Sequence, residues 1–174
     1  MRHIDRHQHG LSLVEALAAV AIAALLTTAA APAYTHLVQE NRLSAQANTL
    51  LAALHYARSE AVKRGDHVTV CAEGSGACLA TSDWAQGWMA FADADGDGVL
   101  DAGEAILHRW SAVHASHSLQ KGKKVRVRFD AQGFAAGYND TFRLCDARGP
   151  AYGRRIIVSN QGRVRVAKGT SNCP

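Results

Sequence analysis

Three groups of residues in this 174-residue chain have types and spacings that could do chemistry. The first is acidic. Residues 93–104 read DADGDGVLDAGE and match the spacing of a helix-flanked calcium loop. In that pattern Asp93, Asp95 and Asp97 are the early oxygen ligands, Gly98 makes the turn and Val99 offers its carbonyl. Asp101 takes the ninth place and Glu104 closes the loop. The flanking text has strand character, however, and acidic Gly-rich residues are also what a hairpin uses to turn. Calcium and a metal-free hairpin both remain open at this point. No other cofactor is expected.

The second group is basic. KGKKVRVRF supplies Lys121, Lys123, Lys124, Arg126 and Arg128, and the last strand-like segments add Arg154, Arg155, Arg163, Arg165 and Lys168. In GRVRV, Arg163 and Arg165 are two apart, so on a strand both project from one face. With Lys168 beyond them they could grip successive phosphates of a nucleic acid. No aromatic residues interleave with them, so such binding would be largely independent of base sequence. The alternative is a charged outer face that keeps an edge strand from pairing with another chain. Charge is distributed unevenly. Residues 1–120 carry 7 Lys/Arg against 12 Asp/Glu, whereas residues 121–174 carry 12 against 3, a net of +9. That asymmetry points to an anionic partner for the C-terminal third.

The third group is four cysteines, Cys71, Cys78, Cys145 and Cys173. An even number in an exported domain suggests two disulfides. The short loop between Cys71 and Cys78 favours local pairing, which leaves Cys145 with Cys173 to staple the tail. Zinc is disfavoured, since no C-x-x-C pair is present and the His3–His7 spacing falls in the leader, away from the cysteines. The nine histidines form no recognisable nucleophile–base signature and no phosphate-cradling loop occurs, so the chain is expected not to be an enzyme.

The elements that must position these groups begin with an apolar stretch, GLSLVEALAAVAIAALLTTAAAPAY, at residues 10–34. Residues 16–39 carry no charged side chain, 24 positions in all, enough as a helix to cross a hydrocarbon core of about 30 Å. Glu15 is the anomaly, because a carboxylate in the membrane costs roughly 2.5–3.5 kcal/mol. An ordinary signal peptide cut near Ala31-Pro32-Ala33 would not carry an acid in its apolar core. From residue 37 to 64 the text becomes amphipathic. Leu43, Ala47, Leu50, Leu54, Ala57 and Ala61 fall on one helical face, and Gly65 is a natural stop. Fewer than four Ala-rich heptads make a weak coiled coil, so this face is expected to dock on a sheet. After Gly65 the period becomes two. HVTVCA, QGWMAFA, AILHRW, VRVRF, TFRLC, RRIIVS and GRVRVA predict about seven antiparallel strands.

The run G-[apolar]-S-L-V-E before some twenty apolar residues resembles the class III signal of type IV pilins and type II secretion pseudopilins. ARSEAVKRGDHVTVC, WAQGWMAFADADGDG and RRIIVSNQGRVR resemble the GspH/FimT branch of minor members. The resemblance implies an α+β, type IV pilin-like fold with a long N-terminal helix on a small antiparallel β domain. It divides the chain into a leader at 1–10, a membrane half-helix at 11–35, an amphipathic half-helix at 36–64 and a β domain at 65–174. A prepilin peptidase would cut between Gly10 and Leu11 and methylate the new N-terminus. Glu15 would then pair with the N-terminal ammonium of a neighbouring pilin, offsetting its burial. The family's proline, here Pro32, would kink or melt the helix. The resemblance also implies a single-pass protein of the bacterial inner membrane whose β domain is periplasmic and enters a pilus or pseudopilus. FimT-type members are implicated in DNA uptake through a C-terminal Gly-Arg-x-Arg motif, which Gly162, Arg163 and Arg165 match. The expected function is a minor pilin that helps assemble a type IV pilus and binds double-stranded DNA. The alternative is a minor pseudopilin of a type II secretion system with protein partners alone.

Overall fold

The computed structural model describes residues 12–170 and 172–173. The expected processing site at Gly10 and Leu11 lies outside the described residues. Helix α1 spans Leu13–Arg64, 52 residues, and belongs to two compact units that divide between Gln39 and Glu40. In the first unit Leu13, Val14, Leu17, Val20, Ile22, Leu25 and Leu26 are all exposed, and the helix is long and apolar enough to cross a membrane. It continues through Pro32, so the local melting expected there does not occur. Pro32 has no N–H to give. The Thr28 and Thr35 hydroxyls bond back to the Leu25 and Pro32 carbonyls, each at 2.8 Å, within the continuing helix.

The second unit, Glu40–Pro174, holds the rest of α1 and all the strands. Leu43, Ala47, Leu50, Leu54, Ala57 and Ala61 are buried as their spacing predicts, and Ala53 joins them. Four of these seven are alanines, which lets the helix backbone approach the sheets closely. Gly65 ends the helix in the left-handed region, φ 68°, with its N–H returned to the Ala61 carbonyl.

Nine strands form two antiparallel sheets. The first contains β1 (Val68–Gly74), β2 (Ala77–Leu79), β3 (Gly87–Ala92), β4 (Ile106–Ser111) and β6 (Arg126–Phe129), with β1 inside. The second has the order β5-β7-β8-β9, built from Ser118–Lys121, Asp140–Cys145, Arg154–Val158 and Val164–Lys168. The seven predicted segments are β1, β3, β4 and β6 to β9. β2 and β5 are additional. β2 has only three residues inside the disulfide loop, and β5 (SLQK) carries a single apolar side chain, so neither shows a periodicity.

Both sheets turn one face to α1. Val68, Val70, Trp88, Ala90, Val127 and Phe129 come from the first sheet; Leu119, Phe142, Leu144, Ile156, Val158 and Val164 come from the second. Trp84 and Phe142 meet edge to face at 4.8 Å in this core. The other face of the first sheet is also covered, with Cys71, Met89 and Phe91 packed beneath Leu100 and Cys78. The other face of the second sheet is where the cationic residues collect.

Candidate functional site

Alternation along the second sheet decides which basic side chains face outward. In β9, Val164 and Val166 pair with Val158 and Ile156 of β8 and turn toward the core. Arg165 therefore points away from it, opposite Ile157, and is exposed. Arg163 precedes β9, exchanges backbone and side-chain bonds with Ser159, and keeps the same outward parity. Arg155 of β8 is exposed on this face, opposite Ala167, and its Nε donates to the Gly169 carbonyl at 2.9 Å. The expected pairing of Arg163 and Arg165 on one face is thus present, with Arg155 beside them.

Four of the predicted contacts belong elsewhere. Lys121 is buried against Asp140, Nζ to Oδ2 2.9 Å, with its side chain 0% exposed. Burial pushes its ammonium below the ordinary lysine range, against the hydrogen bond and charge of Asp140. Burial also acts to raise Asp140, but donors from the Lys124 N–H, Lys121 and the Thr141 N–H outweigh it and hold the carboxyl low. Arg154 is buried too. It donates to Glu40 on α1, to the Tyr152 carbonyl at 2.6 Å and to Ser44 at 3.4 Å. Glu40 also meets Arg148 at 3.5 Å, and Arg148 pairs with Asp146 at 2.7 Å. These cations tie the second sheet to the helix. Lys168 opposes Arg154 and shares its parity, so although exposed it stands off the face of Arg163 and Arg165. Gly162 is buried and contributes a turn rather than a contact, with φ 71° and its N–H bonded to the Ser159 carbonyl. Lys123 and Lys124 are exposed at the Asp140 end of β7, and the Lys124 N–H donates to Asp140 at 2.8 Å.

One outward cation was not anticipated. Arg143 of β7 lies directly opposite Arg155. The signal was available in TFRLC, where Phe142 and Leu144 face the core and Arg143 must face out.

The acidic loop is tightly closed on itself. Asp93 is buried and accepts from the Thr69 hydroxyl at 2.5 Å and the Gly98 N–H at 3.1 Å. Asp95 and Asp97 accept the N–H groups of Asp97 and Val99. Glu104 spends one oxygen on the Ala94 N–H (2.9 Å) and the other on the Asp101 N–H (3.1 Å). Carboxylate oxygens of Asp93, Asp95 and Asp97 come within 4.8 Å of one another, whereas Asp101 and Glu104 do not join that cluster. Arg126 donates into the same loop at the Gly98 carbonyl, and Arg128 sits over the Tyr138 ring at 5.1 Å. Those two arginines serve the first sheet. Three clustered carboxylates are the donor type that a hard cation takes, and the two oxygens of Glu104 already accept loop amides.

Both expected disulfides are present. Cys71–Cys78 fastens β1 to β2, and Cys145–Cys173 ties the tail to β7 across a separation of 28 residues.

The description "Type II transport protein GspH" matches residues 46–162, and the "prokaryotic N-terminal methylation motif" matches residues 5–31. The chain belongs to the GspH family. The methylation motif contains Gly10, Leu11 and Glu15, and the GspH match ends at Gly162, just before the outward pair of arginines. The type IV minor pilin FimU of Pseudomonas aeruginosa strain PAO1 is similar in two crystal forms. One is 25% identical with a TM-score of 0.59, covering 76% of this chain and 100% of FimU. The other is 26% identical with a TM-score of 0.61, covering 79% and 99%. No curated protein sequence matches significantly. The protein is accordingly a minor pilin or pseudopilin of the type IV pilus and type II secretion class. Family and motif imply processing by a prepilin peptidase and assembly with other pilins.

Proposed function

We propose that this chain is a non-enzymatic minor pilin of a type IV pilus that captures DNA. Cleaved after Gly10, it is held in the inner membrane by the first half of α1, with the β domain in the periplasm. The observation that carries the DNA reading is the outward face of the second sheet. Arg163, in the turn that leads into β9, and Arg165, within that edge strand, are exposed there two residues apart, and no ion pair engages either among the described residues. An unpartnered pair of guanidinium groups at two-residue spacing suits consecutive phosphates.

The test is titration of a labelled duplex with the full chain in non-ionic detergent, followed by fluorescence anisotropy. Salt-sensitive binding, lost in Arg163→Ala/Arg165→Ala with the melting temperature unchanged, is expected. Failure of the wild-type protein to bind duplex at low salt overturns the reading. The family match favours a second reading, a pseudopilin of a type II secretion system. Under it, deletion of the gene impairs protein secretion and leaves DNA uptake intact.

A further inference from the structure

We infer that the DNA footprint does not stop at β9 but crosses the sheet, with Arg143 and Arg155 as phosphate-binding residues. The inference rests on the DNA reading above and adds two residues that lie outside the Gly-Arg-x-Arg run.

The register supplies the first argument. Arg143 and Arg155 are direct cross-strand partners. Side chains so placed have their Cβ atoms roughly 4.5–5.5 Å apart, and like charges there destabilise a sheet. A fold normally answers such a pair with a carboxylate. Within these four strands the other outward positions are Ser118, Gln120, Thr141, Cys145, Ile157, Arg165 and Ala167, with no acid among them; Asp83, bridged to Gln120, stands two positions from Arg143 along the row and three from Arg155. Asp140, the one acid within these four strands, turns inward to Lys121. An anion from outside is the group that relieves the repulsion.

The second argument is which donors of the two guanidinium groups stay available. Nε of Arg155 is held by the Gly169 carbonyl, and Nε of Arg143 is sealed from solvent with no acceptor. In both, the donors left for a ligand are the terminal nitrogens, the end of the planar fork that grips phosphate. Ser118, Gln120 and Thr141 add neutral donors on the same face, suited to backbone oxygens.

The third argument is alignment. Arg165 lies diagonally from Arg155, about 7–8 Å away between Cα atoms, and Arg163 stands two residues before it, in the turn that leads into β9. Arg143, Arg155, Arg165 and Arg163 thus make a continuous oblique stripe. None of the outward positions is aromatic, so there is no platform on which unpaired bases could stack. The stripe fits the phosphates of a duplex.

Four phosphates neutralised on a duplex give a slope of log K against log salt of about −3.6. Anisotropy titrations of the full chain in non-ionic detergent, against a mixed duplex of about 20 base pairs between roughly 50 and 200 mM salt, measure it. Arg143→Gln/Arg155→Gln is expected to halve the slope to about −1.8 and to weaken binding roughly 60-fold near 0.1 M salt. Arg143→Lys/Arg155→Lys is expected to keep a slope close to wild type, because the charge is retained. Melting temperatures of both variants control for folding. An unchanged slope in the Gln variant, with binding still abolished by Arg163→Ala/Arg165→Ala, overturns the wider footprint and leaves the DNA reading standing. Tighter binding to the single strand than to the duplex overturns the duplex assignment. No binding by wild type overturns both.

Discussion

Gly162→Ala separates the turn of the Gly-Arg-x-Arg run from its charges. Gly162 has φ 71°, where an alanine pays about 1–2 kcal/mol. A Cβ there would stand 1.9 Å from the Gly133 carbonyl oxygen and 3.1 Å from Arg58 Nε. The obstacle is backbone, and it is held. Gly133 O accepts from Arg58 on α1 at 3.0 Å, while the Ala135 N–H reaches across to the Asn160 carbonyl at 2.9 Å. Moving that carbonyl sacrifices a charged hydrogen bond, about 1.5–3 kcal/mol. The two terms together give roughly 3–5 kcal/mol, or a fall of about 10–20 °C in Tm for a unit of this size. Differential scanning fluorimetry of the full chain in detergent measures it. Arg163→Ala/Arg165→Ala, both exposed, should melt within about 2 °C of wild type, as surface substitutions do. A Gly162→Ala protein melting within about 3 °C of wild type refutes the interlocked-turn argument.

Asp140→Ala leaves Lys121 buried without its partner and should cost about 3–5 kcal/mol, read as a lower denaturant midpoint. Acid should weaken the fold in two stages. Burial, aided by the His114 charge, keeps His117 below the ordinary histidine range, so the unfolded chain takes up that proton first and stability falls as pH drops through that range. Asp140 is held low, so its contribution is complete at neutral pH and is lost as pH falls through its folded value; His117→Gln should remove only the first stage of the Tm-against-pH curve. Cys145→Ser/Cys173→Ser opens a 28-residue loop and should cost about 3–4 kcal/mol, again read by denaturation. In a pilus assembly assay Glu15→Asp should be milder than Glu15→Leu, and equal assembly by the Leu variant defeats the ammonium-pairing account.

Much of the fold can be read from spacing because burial imposes a period. The six helix positions from Leu43 to Ala61 and the seven strand segments follow from residues that must face one core. β2 and β5 escape because three residues in a disulfide loop, or one leucine among polar neighbours, carry no period. At Pro32 the structure excludes only the melting alternative, because a missing N–H weakens a helix locally while α1 continues on both sides of it. At the site, charge type was legible and charge availability was not. Lys121 and Arg154 look like any other lysine and arginine in the text. Their partners, Asp140 and Glu40, lie 19 and 114 residues away in sequence, so only the folded pairing shows that they are occupied.

The net +9 of residues 121–174 therefore divides into cations with different work. Arg126 and Arg128 lie with the acidic loop and Tyr138 at the first sheet; Lys121, Arg148 and Arg154 are spent on Asp140, Asp146 and Glu40 inside the second unit. What is left on one face is Arg143, Arg155, Arg163 and Arg165. A charged face whose purpose is only to keep an edge strand from aggregating needs its charge on the edge. Arg163 and Arg165 meet that need, since β9 is an edge. Arg143 and Arg155 do not, because β7 and β8 are interior strands already paired on both sides. Their like-charge contact gives the sheet no protection and carries a cost of about 0.2–1 kcal/mol. Edge protection accounts for half of the stripe, and binding of a polyanion accounts for all of it.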